Sequence, residues 1–537
     1  MKIIIIGAGI SGLATYHALR KYAPSVQIQI YEAHHHPSPA SPGSDKNETS
    51  SSSLSNPNSN SDSDSDSDSN SSNLIIGGGL GLAPNGLRAL DVISPSAAKY
   101  IQQRGFECGE FVFRNQKGRK LGRMRIGGQN RYGFGEMMVA RAVVHESLLF
   151  GIEEEEEENK EKTEKVVNWG RKVKEVKERE DGVDVMFEDG ATESCDLVVG
   201  ADGAWSKCRE AIFGEEYQPQ YDGLTGIGGF LPLASLSNAL QEGLKVEPVT
   251  MTFSRSGFFG YSMCSNPSLP LEEQYVQWWS TYEASTPLSR DTPAQEVRTQ
   301  LLNRHGMWKS PYDTPGSPAS NVFLQIINSA CDQMSSKKDG GRSSKWLILP
   351  RFMTPRLPFW TSLHGVSVDG RGPVEGSKGR GPVEGSKGHG RIVLVGDARS
   401  TMPPDSGQGV SCAIEDALTL ALLLKHFVGP KVKDDALDKL LAESAPGVMT
   451  PAMDAEALRK LAKAYEDIRV PRVKKILRLS KRSGDEKREI GFLEEKIRNL
   501  VLFIFSYCLP DSIHDGTFGY DVQVGVDRYL AKQEWRW

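Results

Sequence analysis

KIIIIGAGISGLATYHALRKYAPSVQIQIYE, residues 2–32, decides the fold. Ile3–Ile6 is a short apolar run, suited to a strand buried on both faces. The next segment, Ile10–Tyr22, puts Ile10, Leu13, Ala14 and Ala18 on one helical face, and Pro24 stops it. Val26, Ile28 and Ile30 then alternate as a second strand. Strand, helix and strand in that order predict a parallel sheet, because parallel strands need a crossover. Gly7, Gly9 and Gly12 stand between the first strand and the helix. The first makes the turn, the second lets backbone approach a pyrophosphate, and the third lets helix and strand touch. Phosphates would rest on the amides that open the helix. Glu32 ends the second strand 25 residues after Gly7, where a carboxylate accepts from ribose hydroxyls and repels a 2′-phosphate. That favours FAD or NAD over NADP at this place.

Composition bounds the rest. With 38% apolar and 25% charged residues over 537 positions, the chain has the make-up of a globular protein of two or three domains. A net charge of −5 gives no global pull toward nucleic acid or an anionic membrane. Seven cysteines, odd in number and without CxxC spacing, predict a reducing, cytoplasmic setting and no zinc site. His34–His36 read as solvated rather than metal-binding. The apolar stretch around Leu500–Phe505 runs for about ten residues, half of the roughly twenty that span a bilayer, so no membrane span is expected.

Three segments interrupt the pattern. Residues 34–73 are rich in Ser and Asp, hold no Phe, Tyr or Trp, and read as disordered. RGPVEGSKG occurs twice in tandem at 371–388 and reads as a loop. Glu153–Glu158 reads as a solvated acidic face. Elsewhere strands are predicted at Val183–Phe187 and Leu197–Val199, an aromatic β layer from about 215 to 390, and helix over 452–506.

Two further motifs carry chemistry. CDLVVGADGAWSKCR (195–209) sets Asp202-Gly203 just past a strand, with Arg209 downstream. VLVGDARSTMPPDSGQGVSCAIEDA (393–417) runs from a strand, Ile392–Val395, through a stiff Pro403-Pro404 loop into a helix over Val410–Val428. This stretch resembles the second FAD motif of the FAD-dependent monooxygenases. That implies that Asp397 accepts from a ribityl hydroxyl, that Gly407 and Gly409 let backbone reach the flat ring, and that the amides at Val410 face the ring edge that becomes negative on reduction.

These stretches together resemble the FAD-dependent monooxygenases, the single-component flavoprotein hydroxylases of aromatic rings, over about 1–33, 74–215 and 390–480. The resemblance implies an α/β fold: a Rossmann-like FAD-binding domain interrupted by a mainly β substrate domain, with C-terminal helices. Its parts would be 1–33 and 74–215 (with an excursion into the substrate layer at about 95–135), the 34–73 insertion, 216–390, 391–480 and a helical 481–537. It further implies that Gly78, within GGGLGLAPNG (77–86), contacts FAD through backbone and that Arg141, within MMVARAVVHESLL, helps to hold it. Asp202 would lie near the pyrophosphate and the path of a transient NADH or NADPH. Expected chemistry is transfer of one oxygen atom from O2 to an aromatic, phenolic or polyketide-like small molecule, as in secondary metabolism. An alkene epoxidase would share every motif, and a non-catalytic dinucleotide-binding protein would share the first. This sequence departs from the family in two places. Ser400 stands where many relatives have histidine, and Leu224–Phe230 lacks the tyrosine-arginine pair of some phenol hydroxylases. Arg209 remains as a candidate to meet a phenolate, or as a structural residue.

Overall fold

Strands Ile392–Leu394, Leu197–Gly200, Lys2–Ile6, Gln27–Tyr31 and Val167–Asn168 lie side by side in that order, every neighbouring pair parallel. Ile3, Ile4 and Ile5 are fully buried, as a run apolar on both faces requires. The computed structural model describes residues 1–36, 78–158, 165–314, 316, 321–335, 347–366, 388–404, 407–429, 451–485, 487–508 and 510–534. Residues 37–73 of the Ser/Asp-rich stretch and 371–387 of the repeat lie outside them. The first helix, Ile10–Tyr22, packs along a second, Gly409–Phe427, although some 400 residues separate them. Every residue of that second helix from Ser411 to Leu424 is buried, because the first helix, the helix Pro84–Ile93 and the long helix Pro451–Asp485 surround it.

A seven-stranded sheet forms the other layer. Its order is Leu347–Met353, Gln220–Pro232, Tyr275–Glu283, Gly257–Met263, Val249–Ser254, Glu110–Asn115 and Lys120–Arg125. All pairings are antiparallel except that of Val249–Ser254 with Glu110–Asn115. Alternation sorts its aromatic residues onto two faces. Phe259, Tyr261 and Trp278 pack beneath the helices Ala294–His305 and Val322–Ser335. Phe253 and Phe258 join Met138, Ile126 and Tyr132 on the opposite face, with Met251 and Trp279 at its border. That face looks toward a three-stranded antiparallel sheet, Gly79–Leu82, Glu136–Ala140 and Phe106–Cys108, which bridges the two layers.

The acidic run at Glu153–Glu158 does not interrupt the pattern; it is the end of the helix Arg141–Glu158, with Glu154 and Glu157 exposed. Partners make the difference: Tyr16 Oη donates to Glu155 at 3.0 Å, Arg20 lies 3.5 Å from the same carboxylate, and His36 Nε2 lies 2.9 Å from Glu153. Opposite charges nearby offset the repulsion that the bare sequence implies.

Candidate functional site

The three glycines of the first turn have three different surroundings. Gly7 has φ +103°, and a Cβ there would stand 2.5 Å from the Ala201 carbonyl oxygen. At Gly12 a Cβ would stand 1.9 Å from the Gly7 oxygen. Around Gly9 nothing lies within 4 Å of the Cβ position. Two glycines are therefore required by the fold, and the third leaves free space in front of a helix that opens with no side-chain cap and no acidic residue. Ala8, between them, is held from both sides: its amide donates to Glu32 Oε2 at 2.7 Å, and its carbonyl accepts from His145 Nε2 at 2.8 Å. Burial opposes ionisation of Glu32, but hydrogen bonds from His34 and Ala8 outweigh it and hold the carboxyl below its ordinary pKa.

The second motif folds onto the first. Asp202 turns its carboxylate to the helix Lys207–Phe213, accepting from Ser206 Oγ at 2.6 Å and the Cys208 amide at 3.1 Å, and burial raises its pKa. Its backbone, not its side chain, faces Gly7. Arg209 is buried and donates to the carbonyls of Ala398, at 3.0 Å, and Ala204. Its guanidinium thus ties the 201–206 turn to the 396–399 turn.

The third motif closes the site. Gly396 has φ +58°, and its Cβ position lies 2.1 Å from Ser11 Oγ, so this turn rests on the opening of the first helix. Asp397 is solvent-exposed yet hemmed in. Crowding by protein raises its pKa against the pull of Arg399, Arg141 and Arg209, and the Met402 amide donates to it. Arg141 is exposed, near enough to Asp397 to act on it, and makes no hydrogen bond or ion pair among the described residues; its amide donates to the Gly78 carbonyl at 3.1 Å. Gly409–Phe427 begins, like the first helix, with no side-chain cap and no acidic residue in its first turn, and Gly409 and Val410 are half-buried there. Gly7, Gly9, Gly12, Asp202, Arg209 and Asp397 are thus gathered at one end of the parallel sheet, with Glu32 joined to them through Ala8.

Several residues escaped the sequence reading. Glu415 and Asp416, recognised only as part of a motif, are fully buried among three arginines. Arg469 spans both, at 2.7 Å from Glu415 and 2.8 Å from Asp416; Arg399 lies 2.6 Å from Asp416 and Arg472 2.9 Å from Glu415. Desolvation works against Glu415 ionising, but Arg469 and Arg472 overcome it and bring its pKa to about 2. Asn85 donates to Glu415 at 2.7 Å and to Gln408 at 3.0 Å, fastening the loop to the helix. Glu136 is the other surprise. It is buried, has no hydrogen-bond partner among the described residues, and lies against Gly81 and Gly407. Desolvation alone raises its pKa to about 8. A lone charged residue in the apolar strand EMMVA was the available signal.

These features fit FAD. Two uncapped helix N-termini, open space at Gly9, a backbone that a Cβ would not crowd at Gly409, and the exposed guanidinium of Arg141 offer donors to a long, doubly charged ligand. The comparisons agree. Residues 5–49 match the model of an NAD(P)-binding Rossmann-like domain, and residues 155–316 and 386–455 match that of an FAD binding domain. The chain is 28% identical over 242 residues to a chloroplastic zeaxanthin epoxidase from an Oncidium hybrid cultivar, a match spanning 44% of this chain and 26% of that protein. It is 22% identical over 495 residues to salicylate hydroxylase from Pseudomonas putida, covering 90% and 86% of the two chains. Its fold is similar to that of Klebsiella pneumoniae HpxO complexed with FAD and uric acid, with a TM-score of 0.62, 18% identity and 99% and 97% of the chains covered. Motifs, topology and matches converge: the chain belongs to the FAD-binding monooxygenase family, the flavoprotein hydroxylases similar to salicylate hydroxylase.

Proposed function

We propose that this protein is an NAD(P)H- and O2-dependent hydroxylase of an aromatic small molecule, with FAD as its resident cofactor. One observation carries the reading. The two half-sites meet where Gly396 rests on Ser11, and the loop between them and the helix Gly409–Phe427 lies, at Gly407, against Glu136 of the strand whose Met138 joins the aromatic cluster of the seven-stranded sheet. The glycine-rich turn and the first-helix amides would hold the pyrophosphate, with Arg141 beside it. Glu32 would take the adenosine ribose, and Asp397 a ribityl hydroxyl. Amides at Gly409 and Val410 would face the pyrimidine edge of the flavin. When bound and reduced by a nicotinamide, FAD supplies the activation of O2 that no side chain provides.

The chain contributes positioning and exclusion of water. Met138, Phe253 and Phe258, with the half-buried Met251 and Trp279, form an apolar cluster that would exclude water beside a flat ligand. Gly260 has no side chain where the Trp279 ring lies, 2.5 Å from its Cβ position, so that ring can lie flat on the sheet. Glu136, whose burial raises its pKa to about 8, would stand beside Gly407 as a hydrogen-bond donor to a bound ligand at neutral pH. Arg209 would act as a positioning residue, because its guanidinium donates to the carbonyls of both Ala398 and Ala204 and so joins the two turns. Salicylate hydroxylase and the uric acid complex of HpxO name flat, anionic substrates for relatives, which supports this class. The test is NADH and NADPH oxidation by the FAD-loaded protein across hydroxybenzoates, phenols and purines under 18O2. Stimulated oxidation with one labelled oxygen in the product is expected; oxidation without label for every compound would overturn the proposal.

A further inference from the structure

The helix Phe492–Cys508 is apolar on the side that its own chain leaves uncovered. Its inner face is accounted for. Glu495, Arg498 and Leu502 are buried, Arg498 donates to the Ser254 carbonyl at 3.1 Å, and Ser506 fills the place of a side chain at Gly122. On the opposite side, Leu493, Ile497, Leu500, Ile504 and Tyr507 are 70%, 54%, 58%, 44% and 57% exposed. Their spacing alternates four and three residues, the repeat of a coiled-coil seam. In heptad terms isoleucine holds both a positions and leucine two of the three d positions, the arrangement that favours two helices. Positions f, Glu495 and Leu502, face the body of the protein, so the seam points straight away from it.

We infer that this helix pairs with the same helix of a second copy of the chain, making an isologous homodimer. The size of the surface agrees. Phe492, Val501 and Phe503 extend the patch at 63%, 39% and 51% exposure. Taking about 200 Å² for each large side chain, the eight residues expose roughly 800 Å², what one partner contributes to a standard interface. A patch of that extent is not left bare on a monomer. The charges beside the seam argue against a lipid surface. Glu494 and Lys496 flank it with opposite signs and Lys496 lies over the Phe492 ring, so the borders of the seam carry no net positive charge to draw it to anionic lipid. Anchoring on the strand Lys120–Arg125 holds the short helix in place, so pairing need not supply its folding.

Sedimentation velocity of the full FAD-loaded chain between about 1 and 50 µM tests this. A species of twice the 59.0 kDa chain mass is expected, with its dissociation midpoint raised at least tenfold by Ile497→Ala and by Leu500→Ala. Ile497→Glu/Leu500→Glu should be monomeric throughout, with unchanged flavin absorbance and near-ultraviolet dichroism showing that the fold is intact. A wild-type monomer at 50 µM would overturn the inference, whether or not it sediments with phosphatidylcholine–phosphatidylserine vesicles. So would a dimer indifferent to the alanine variants.

Discussion

Gly407 and Glu136 share one surface: a Cβ on the glycine would stand 3.3 Å from Oε1 of the glutamate, and the glycine's φ of +62° turns the loop toward it. A buried carboxyl is thereby fixed beside the loop that leads into the helix Gly409–Phe427, with no hydrogen bond to it among the described residues.

Glu136 should report on itself through pH. Its pKa in the folded chain, about 8, lies above the ordinary 4.5, so the native state binds the extra proton between those values. Stability should therefore fall as pH rises through that window, by at most about 1.4 kcal/mol per unit. Glu136→Gln, neutral throughout, should remove this dependence. It should also abolish a step near pH 8 in the absorbance of bound flavin. Matching melting curves for the two proteins at pH 6 and pH 9 would show that Glu136 does not titrate there.

Gly9 and Gly12 should separate folding from binding. Gly12→Ala drives a methyl into the Gly7 carbonyl and should cost at least about 3 kcal/mol, seen as loss of soluble folded protein. Gly9→Ala meets nothing within 4 Å and should leave the melting temperature of the apoprotein almost unchanged. Its FAD affinity should nevertheless fall at least tenfold, as measured by fluorescence titration.

Asp397→Ala should release flavin. Losing a charge-assisted hydrogen bond costs about 1.5–3 kcal/mol, or roughly ten- to a hundredfold in affinity. The ratio of absorbance at 450 and 280 nm after gel filtration measures it, and full retention would show that Asp397 does not touch the cofactor.

Gly409→Pro should alter chemistry more than binding. Proline is tolerated at the first helical position, yet it removes one amide from a helix start worth up to about 2 kcal/mol to a partly buried negative charge. Oxidised FAD should still bind with modest loss, while the flavin potential drops and reduction by NAD(P)H slows. Dye equilibration reads the potential.

Arg469→Met leaves Glu415 and Asp416 buried with one fewer cation and should cost about 3–5 kcal/mol. Because Glu415 has a folded pKa of about 2, below its ordinary 4.5, its contribution is present above pH 4.5 and lost as pH falls toward 2. The variant should show a smaller acid-induced loss of melting temperature over that range.

Local pattern made much of this protein legible. Val183–Phe187 is a strand with its odd positions buried, as the alternation says, and the turn at Gly7 needs glycine for the reasons its spacing implies. What stayed hidden is tertiary. Nothing near Glu415 in the sequence announces Arg469 and Arg472, and nothing near Glu136 announces Gly407. Asp202 and Arg209 were picked out for chemistry, but which atoms their side chains meet depends on turns folded from distant segments. The aromatic residues of the seven-stranded sheet are visible in the sequence as a group; only the pleat decides which of them pack under the helices Ala294–His305 and Val322–Ser335 and which join Met138 on the other face.

The arginine clamp also sets a timetable. Asn85, Glu415 and Arg469 belong to early, middle and late parts of the chain, yet all three must be present before the helix Gly409–Phe427 can bury its charges. Until Arg469 and Arg472 are added, the only side chains among the described residues to meet these acids inside an apolar shell are Asn85 for Glu415 and Arg399 for Asp416. A chain that has not yet reached Arg472 therefore keeps that helix's apolar surface open to chaperones.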